Sequence, residues 1–97
     1  MFVAVRKYRV RRGSVAEWAQ RVQTGFVPLM RELEGFEGYY LVDGGEDVVI
    51  TISMFDSADA ALASNAKAAD WVRHNVLELA RGMPEAMVGD VLVAEVK

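Results

Sequence analysis

Ninety-seven residues, 53% of them hydrophobic and carrying a net charge of −3, fit one small domain over residues 1–97 with a single core. Cysteine is absent, which excludes a disulfide framework, a thiolate metal site and a cysteine nucleophile. No stretch reaches the roughly 18 apolar residues of a membrane span and no signal-peptide pattern opens the chain, so a cytoplasmic protein with no membrane partner is expected.

Residues 2–10 alternate β-branched, aromatic and basic side chains and read as a strand, with Phe2, Ala4, Arg6, Tyr8 and Val10 on one face. Arg6, Lys7, Arg9, Arg11 and Arg12 give the first twelve residues five cations and no acid, against six basic and fourteen acidic residues in the remainder. Such a run can meet nucleic acid. In an acidic chain without a recognition motif it is better read as the charged end of a solvated strand, and no nucleic-acid partner is expected.

Ser14-Val15-Ala16-Glu17 has the form of a capping box. Val15, Trp18, Val22, Phe26, Leu29 and Leu33 follow at helical spacing to about Glu34, with Gly35 as the stop. Pro28 lies inside this helix and is expected to bend or break it. Two apolar runs, residues 36–42 and 48–55, flank Asp43-Gly44-Gly45-Glu46, where glycine supplies the positive φ of a hairpin turn. In the first strand Phe36, Gly38, Tyr40 and Val42 share a face. The second is apolar on both faces and reads as a central strand.

Ser57 is the expected cap of a second helical region, with Ser64-Asn65 as a possible interruption before a piece over residues 66–80. Its expected buried stripe is Ala66, Ala69, Val72, Val76, Leu77 and Ala80. Gly82 and Pro84 end it, and residues 87–96 form a last strand. The order βαββαβ predicts an α+β, ferredoxin-like fold: a four-stranded antiparallel sheet with both helices on one face. The uncovered face is expected to carry Val3, Val5, Val49 and Phe55 or their neighbours. That apolar surplus points to a homodimer packed through the sheet.

Arg73 falls inside the expected stripe, where it has to pair, snorkel, or point into a cavity holding an anionic or carbonyl oxygen. Trp71 and His74 fall on the opposite face near Glu78, with Lys67 and Arg81 as possible partners of that carboxylate. Tyr8, Tyr39, Tyr40 and Asn65 are polar groups on apolar elements, suited to a cleft for a small, flat, partly polar molecule. One histidine and no cysteine leave too few ligands for a metal.

Leu33-Glu34-Gly35-Phe36-Glu37-Gly38-Tyr39-Tyr40, Ser53-Met54-Phe55-Asp56-Ser57-Ala58-Asp59-Ala60-Ala61 and Ser64-Asn65-Ala66-Lys67-Ala68-Ala69-Asp70-Trp71-Val72-Arg73 resemble the antibiotic biosynthesis monooxygenase family. The resemblance implies a dimeric α/β barrel of two ferredoxin-like subunits, each with a pocket between helices and sheet. Family members include cofactor-independent oxygenases of aromatic polyketides or quinols, and haem-degrading enzymes. The asparagine that the haem-degrading members carry on the first strand has no counterpart in residues 2–10, and no cofactor is expected. In the polyketide oxygenases an asparagine, a tryptophan and a tyrosine line the pocket, and Asn65, Trp71 and Tyr40 are of those types. The expected site therefore has Arg73, Asn65 and Tyr40 in catalytic roles, with Tyr39, Trp71 and His74 against a small aromatic or apolar substrate. The other expectation is a non-catalytic dimeric module that binds or senses such a molecule.

Overall fold

The computed structural model describes all of residues 1–97. The elements are β1 (Phe2–Val10), α1 (Val15–Arg21), a π-helical turn (Val22–Phe26), α2 (Val27–Arg31), β2 (Phe36–Gly45), β3 (Val48–Phe55), α3 (Ala58–Asn75), a 3-10 turn (Leu77–Leu79) and β4 (Ala80–Asp90). The strands form one antiparallel sheet in the order β2-β3-β1-β4. This is the expected ferredoxin-like α+β arrangement. Ala4, Arg6, Tyr8 and Val10 of β1 and Val49, Thr51, Ser53 and Phe55 of β3 are buried beneath the helices.

The register pairs Val3 with Met54 and Val5 with Ile52. Val49 and Phe55 therefore belong to the helix-covered face, and the open face carries Val3, Val5, Ile50, Ile52 and Met54 instead. Within this chain β3 is central but covered on one side only. Strand β2 departs further from simple alternation. Phe36 pairs with Phe55 and Gly38 with Met54, so Glu37 is an extra residue that reverses the facing of the rest of the strand. Tyr39 and Leu41 turn toward the helices, and Tyr40 and Val42 toward the open side.

Pro28 does not break the first helical segment. The preceding turn widens to a π-helix, in which the Val27 N–H bonds the Val22 carbonyl five residues back. That wider turn accommodates a proline ring and missing N–H that a regular α-helix would not. Ser14 makes no side-chain cap, because its ψ of 3° is not the extended backbone that a capping hydroxyl requires. Glu17 pairs with Arg21 instead. The helical segment ends at Arg31, three residues short of the expected Glu34. The hairpin turn lies at Glu46 and Asp47, with φ of 54° and 61°, rather than across Asp43–Glu46 as the glycines suggested. Asp47 holds this conformation by anchoring the end of β1: its carbonyl accepts the Val10 N–H at 2.9 Å and its carboxylate the Gly13 N–H at 3.0 Å.

Ser57 caps α3 as expected, accepting from the Ala60 N–H at 3.2 Å. The helix is not interrupted at Ser64-Asn65. Ser64 Oγ donates to the Ala61 carbonyl at 2.7 Å and so stays satisfied inside the helix. The buried stripe of the helix is Ala61, Ser64, Ala68 and Trp71; of the stripe expected, Val76 is buried just past the helix and Val72 and Ala80 are half-buried, but Ala66, Ala69 and Leu77 are exposed. With small residues on several sides of the helix, hydrophobicity did not settle its rotation; close approach to the sheet did. Trp71 is buried and Arg73 exposed, a reversal of the expected placement, whereas His74 is exposed on the face away from the core as expected. The helix stops at Asn75, and Glu78 pairs with Arg21 at 3.1 Å rather than with Lys67 or Arg81. Gly82 and Pro84 lie within β4, an edge strand where proline is tolerated. Residues 91–97 have no regular structure, so the final strand lies earlier than expected.

Gly35 turns the chain into β2 with a φ of 80°, and a Cβ there would overlap the Asp56 carboxylate. Gly35→Ala is expected to destabilise the fold by about 1–2 kcal/mol or more through the left-handed backbone alone, read as a lower urea midpoint.

Candidate functional site

Arg6 lies mid-strand on the helix-facing side of β1, directly across from Thr51, and is 3% exposed. Its guanidinium reaches two neighbouring elements. Nη1 donates to Asn65 Oδ1 on α3 and Nη2 to Ser53 Oγ on β3, both at 2.9 Å. The first bond fixes the Asn65 amide with its oxygen toward the arginine, since a guanidinium only donates. The Phe26 ring centroid is 5.8 Å from Arg6 Cζ, within cation–π range. No carboxylate pairs with this cation.

Above Arg6 is a cavity of about 10 Å³, on the scale of one water molecule. Its wall includes Tyr8, Trp18, Phe26, Tyr39, Thr51 and Trp71. The rings pack on one another: Tyr8 against Trp18 at 5.1 Å, and Phe26 against Tyr39 at 5.9 Å and Trp71 at 5.4 Å. Three buried polar atoms here have no partner: Arg6 Nε, Trp18 Nε1 and Thr51 Oγ1. A wider groove of about 440 Å³ runs between the first helical segment and β2, and shares Val22 and Tyr39 with the cavity wall.

Burial raises the Tyr8 phenol, opposed by the charge of Arg6. Burial likewise pushes Tyr39 up to about 12, again against Arg6. Both phenols are therefore neutral near neutral pH. The set combines one fixed cation, neutral hydrogen-bonding groups and aromatic surfaces. It can receive one oxygen atom of a molecule that lies in the groove, but no carboxylate or imidazole lines the cavity to move a proton. Nowhere do three histidine, aspartate or glutamate side chains converge as metal ligands.

The structure brings together some of the residues singled out from sequence and separates others. Asn65 is half-buried at the Arg6 guanidinium, and Tyr39 and Trp71 line the cavity. Tyr40 does not join them: it is 62% exposed on the open side of the sheet, placed there by the Glu37 bulge. Arg73 lies 3.9 Å from Asp70 at the surface. His74 Nδ1 donates to the Asp70 carbonyl at 2.8 Å, away from the cavity. Sequence reasoning missed Arg6, Trp18 and Thr51 as site residues. The available signal was an arginine between Ala4, Tyr8 and Val10 on one strand face, masked by its membership of a basic run.

A family profile described as antibiotic biosynthesis monooxygenase matches residues 1–84. Among solved structures, a monooxygenase of Streptomyces coelicolor in complex with nanaomycin D aligns with a TM-score of 0.78 at 19% identity, over 99% of this chain and 91% of that one. A mutant of MhuD with two manganese protoporphyrin IX molecules bound per active site aligns at 0.75 and 20% identity, over the whole of both chains. A putative antibiotic biosynthesis monooxygenase of Bordetella bronchiseptica aligns at 0.77 and 16% identity, over 95% and 97%. At these identities the likeness is one of fold. No curated protein matches the sequence.

The folded chain holds the Tyr39 proton more tightly than the unfolded chain, whose phenol titrates near 10. Its contribution to stability is complete below that pH and is lost as pH rises to about 12. Urea unfolding across this range is expected to show a loss of as much as about 3 kcal/mol from this group, with a shallower fall in Tyr39→Phe.

Proposed function

Because the chain belongs to the antibiotic biosynthesis monooxygenase family, we propose that it is a cofactor-independent monooxygenase of a small aromatic or quinone-like substrate. The observation that carries this reading is the cavity between helices and sheet, walled by five aromatic side chains, floored by Arg6 and Thr51, and sharing Val22 and Tyr39 with the wider groove. The substrate supplies the electrons. One atom of dioxygen enters it, the other leaves as water, and the substrate gives up the two hydrogens of that water. Tyr39, on the wall shared by groove and cavity, holds the ring by stacking or edge contact, Trp71 walls the oxygen-sized end, and Asn65 acts through the Arg6 guanidinium that it holds to orient a substrate oxygen.

A second reading, a non-catalytic module that binds or senses a small apolar metabolite, is favoured by the lack of any carboxylate or histidine in the cavity lining. Oxygen-electrode measurements with a panel of quinols separate the two. The oxygenase reading expects uptake that depends on the quinol and falls by at least about tenfold, some 1.4 kcal/mol of barrier, in Asn65→Ala. Thermal stabilisation by the same compounds without oxygen uptake would leave the binding module.

The assembly we propose is a homodimer through the open sheet face, supported by the contiguous Val3, Val5, Ile50, Ile52 and Met54 with Tyr40, Val42 and Met87 around them. So large an apolar surface is unusual on a monomer. A charge at its centre, Ile52→Glu, is expected to convert the dimer to monomer in sedimentation equilibrium while leaving far-ultraviolet circular dichroism unchanged. Wild-type chain sedimenting as a monomer would defeat the assembly.

A further inference from the structure

The buried guanidinium of Arg6 is not accounted for by folding. Its two bonded oxygens, on Asn65 and Ser53, are neutral, and the two phenols of the cavity are protonated. A full positive charge therefore stands inside the protein with no negative partner, an arrangement that folding alone disfavours. An aliphatic side chain of similar length would fill the same place between Ala4 and Tyr8 without that cost.

The unpartnered atoms have a common character. Arg6 Nε–H and the Trp18 indole N–H can only donate, and the Thr51 hydroxyl can donate. All three residues line the one cavity. Two obligate donors, a rotatable hydroxyl and an uncompensated cation together form a recognition set for a negatively charged oxygen. The cavity, at about 10 Å³, takes an oxygen atom and not a ring. The neighbouring groove, at about 440 Å³, takes a ring system; it is lined by Val27, Phe36 and Leu41 and meets the cavity at Val22 and Tyr39. No carboxylate lines cavity or groove, and the charged residues on their walls are Arg6 and Arg31.

We propose that this site binds its ligand as an aromatic anion, with the ionised oxygen of a carboxylate or aryl-oxide against Arg6 and the ring body in the groove. Arg6 is then the specificity-determining residue and the ligand's counter-ion. The proposal rests on the reading that the cavity is the ligand site, but it does not depend on oxygen chemistry.

Titration calorimetry of the full chain without oxygen tests it, using 1-naphthoate, 1-naphtholate and neutral 1-naphthalenemethanol at about pH 10, where the carboxylate is fully ionised. Wild-type protein is expected to bind naphthoate or naphtholate at least about tenfold more tightly than the neutral alcohol, the two anions showing which oxygen is preferred. Arg6→Met is expected to lose that preference, keep its affinity for the alcohol, and melt at the same temperature as wild type or higher. Equal affinity of wild type for anions and alcohol would overturn the anion inference while leaving the ligand site in place. Binding of none of the three would overturn both. Naphthoate affinity retained in Arg6→Met, or a lower melting temperature with the anion preference unchanged in Arg6→Lys and Arg6→Met alike, would make Arg6 structural and overturn the proposal. The wild-type comparison stands even if the methionine variant does not fold.

Discussion

The hydrogen bonds from Arg6 to Asn65 and Ser53 link β1, β3 and α3 at one point beneath the helix layer. A buried cation imposes a condition on everything around it: neighbouring groups have to be neutral acceptors, aromatic faces or anions. The surrounding residues meet that condition. Asn65 turns its carbonyl oxygen inward, Ser53 accepts on the adjacent strand, Phe26 offers a ring face, and the two phenols keep their protons. The small residues Ala61, Ser64 and Ala68 let α3 lie close enough to the sheet for the Asn65 contact to form.

Phe26 is the second organising element, because its ring meets Arg6, Tyr39 and Trp71 at once. It is the last residue of the π-helical turn, and Val22, the first, lines the same cavity. Gly25 lies between them, where a Cβ would come within 3.0 Å of the Trp71 ring. The wider turn thus does two things: it admits Pro28 without a break, and it brings the helix backbone close to the indole. π-Turns concentrate at functional sites for this kind of reason, since they re-aim side chains that a regular helix would spread around its axis.

Family membership and cavity chemistry constrain this protein in different ways. The family profile sets the family and, with the solved neighbours, the fold. The particular donors that line the cavity come from this chain's own choice of arginine at position 6 and threonine at position 51, cross-strand neighbours on the covered face. Stability alone does not favour that choice; such local conflicts tend to mark functional sites.

Much was determined by the linear order of residues. Period-2 runs and the Ser57 cap, glycine at position 35 and the βαββαβ order led to the ferredoxin-like fold, because strand and helix periodicities are local properties. Asn65 and Tyr39 were also visible as polar groups on apolar elements, and Trp71 through the family resemblance alone. What only the tertiary structure decided was facing. One bulged residue, Glu37, exchanged Tyr40 for Tyr39, and the alanine-rich α3 turned to bury Trp71 and expose Arg73. Arg6 left its basic run for the interior because partners at positions 53 and 65, distant in sequence, were waiting there. Rotation of a small-residue helix and reversal at a bulge have nearly no local signature, and packing against the sheet supplies the energy that settles them.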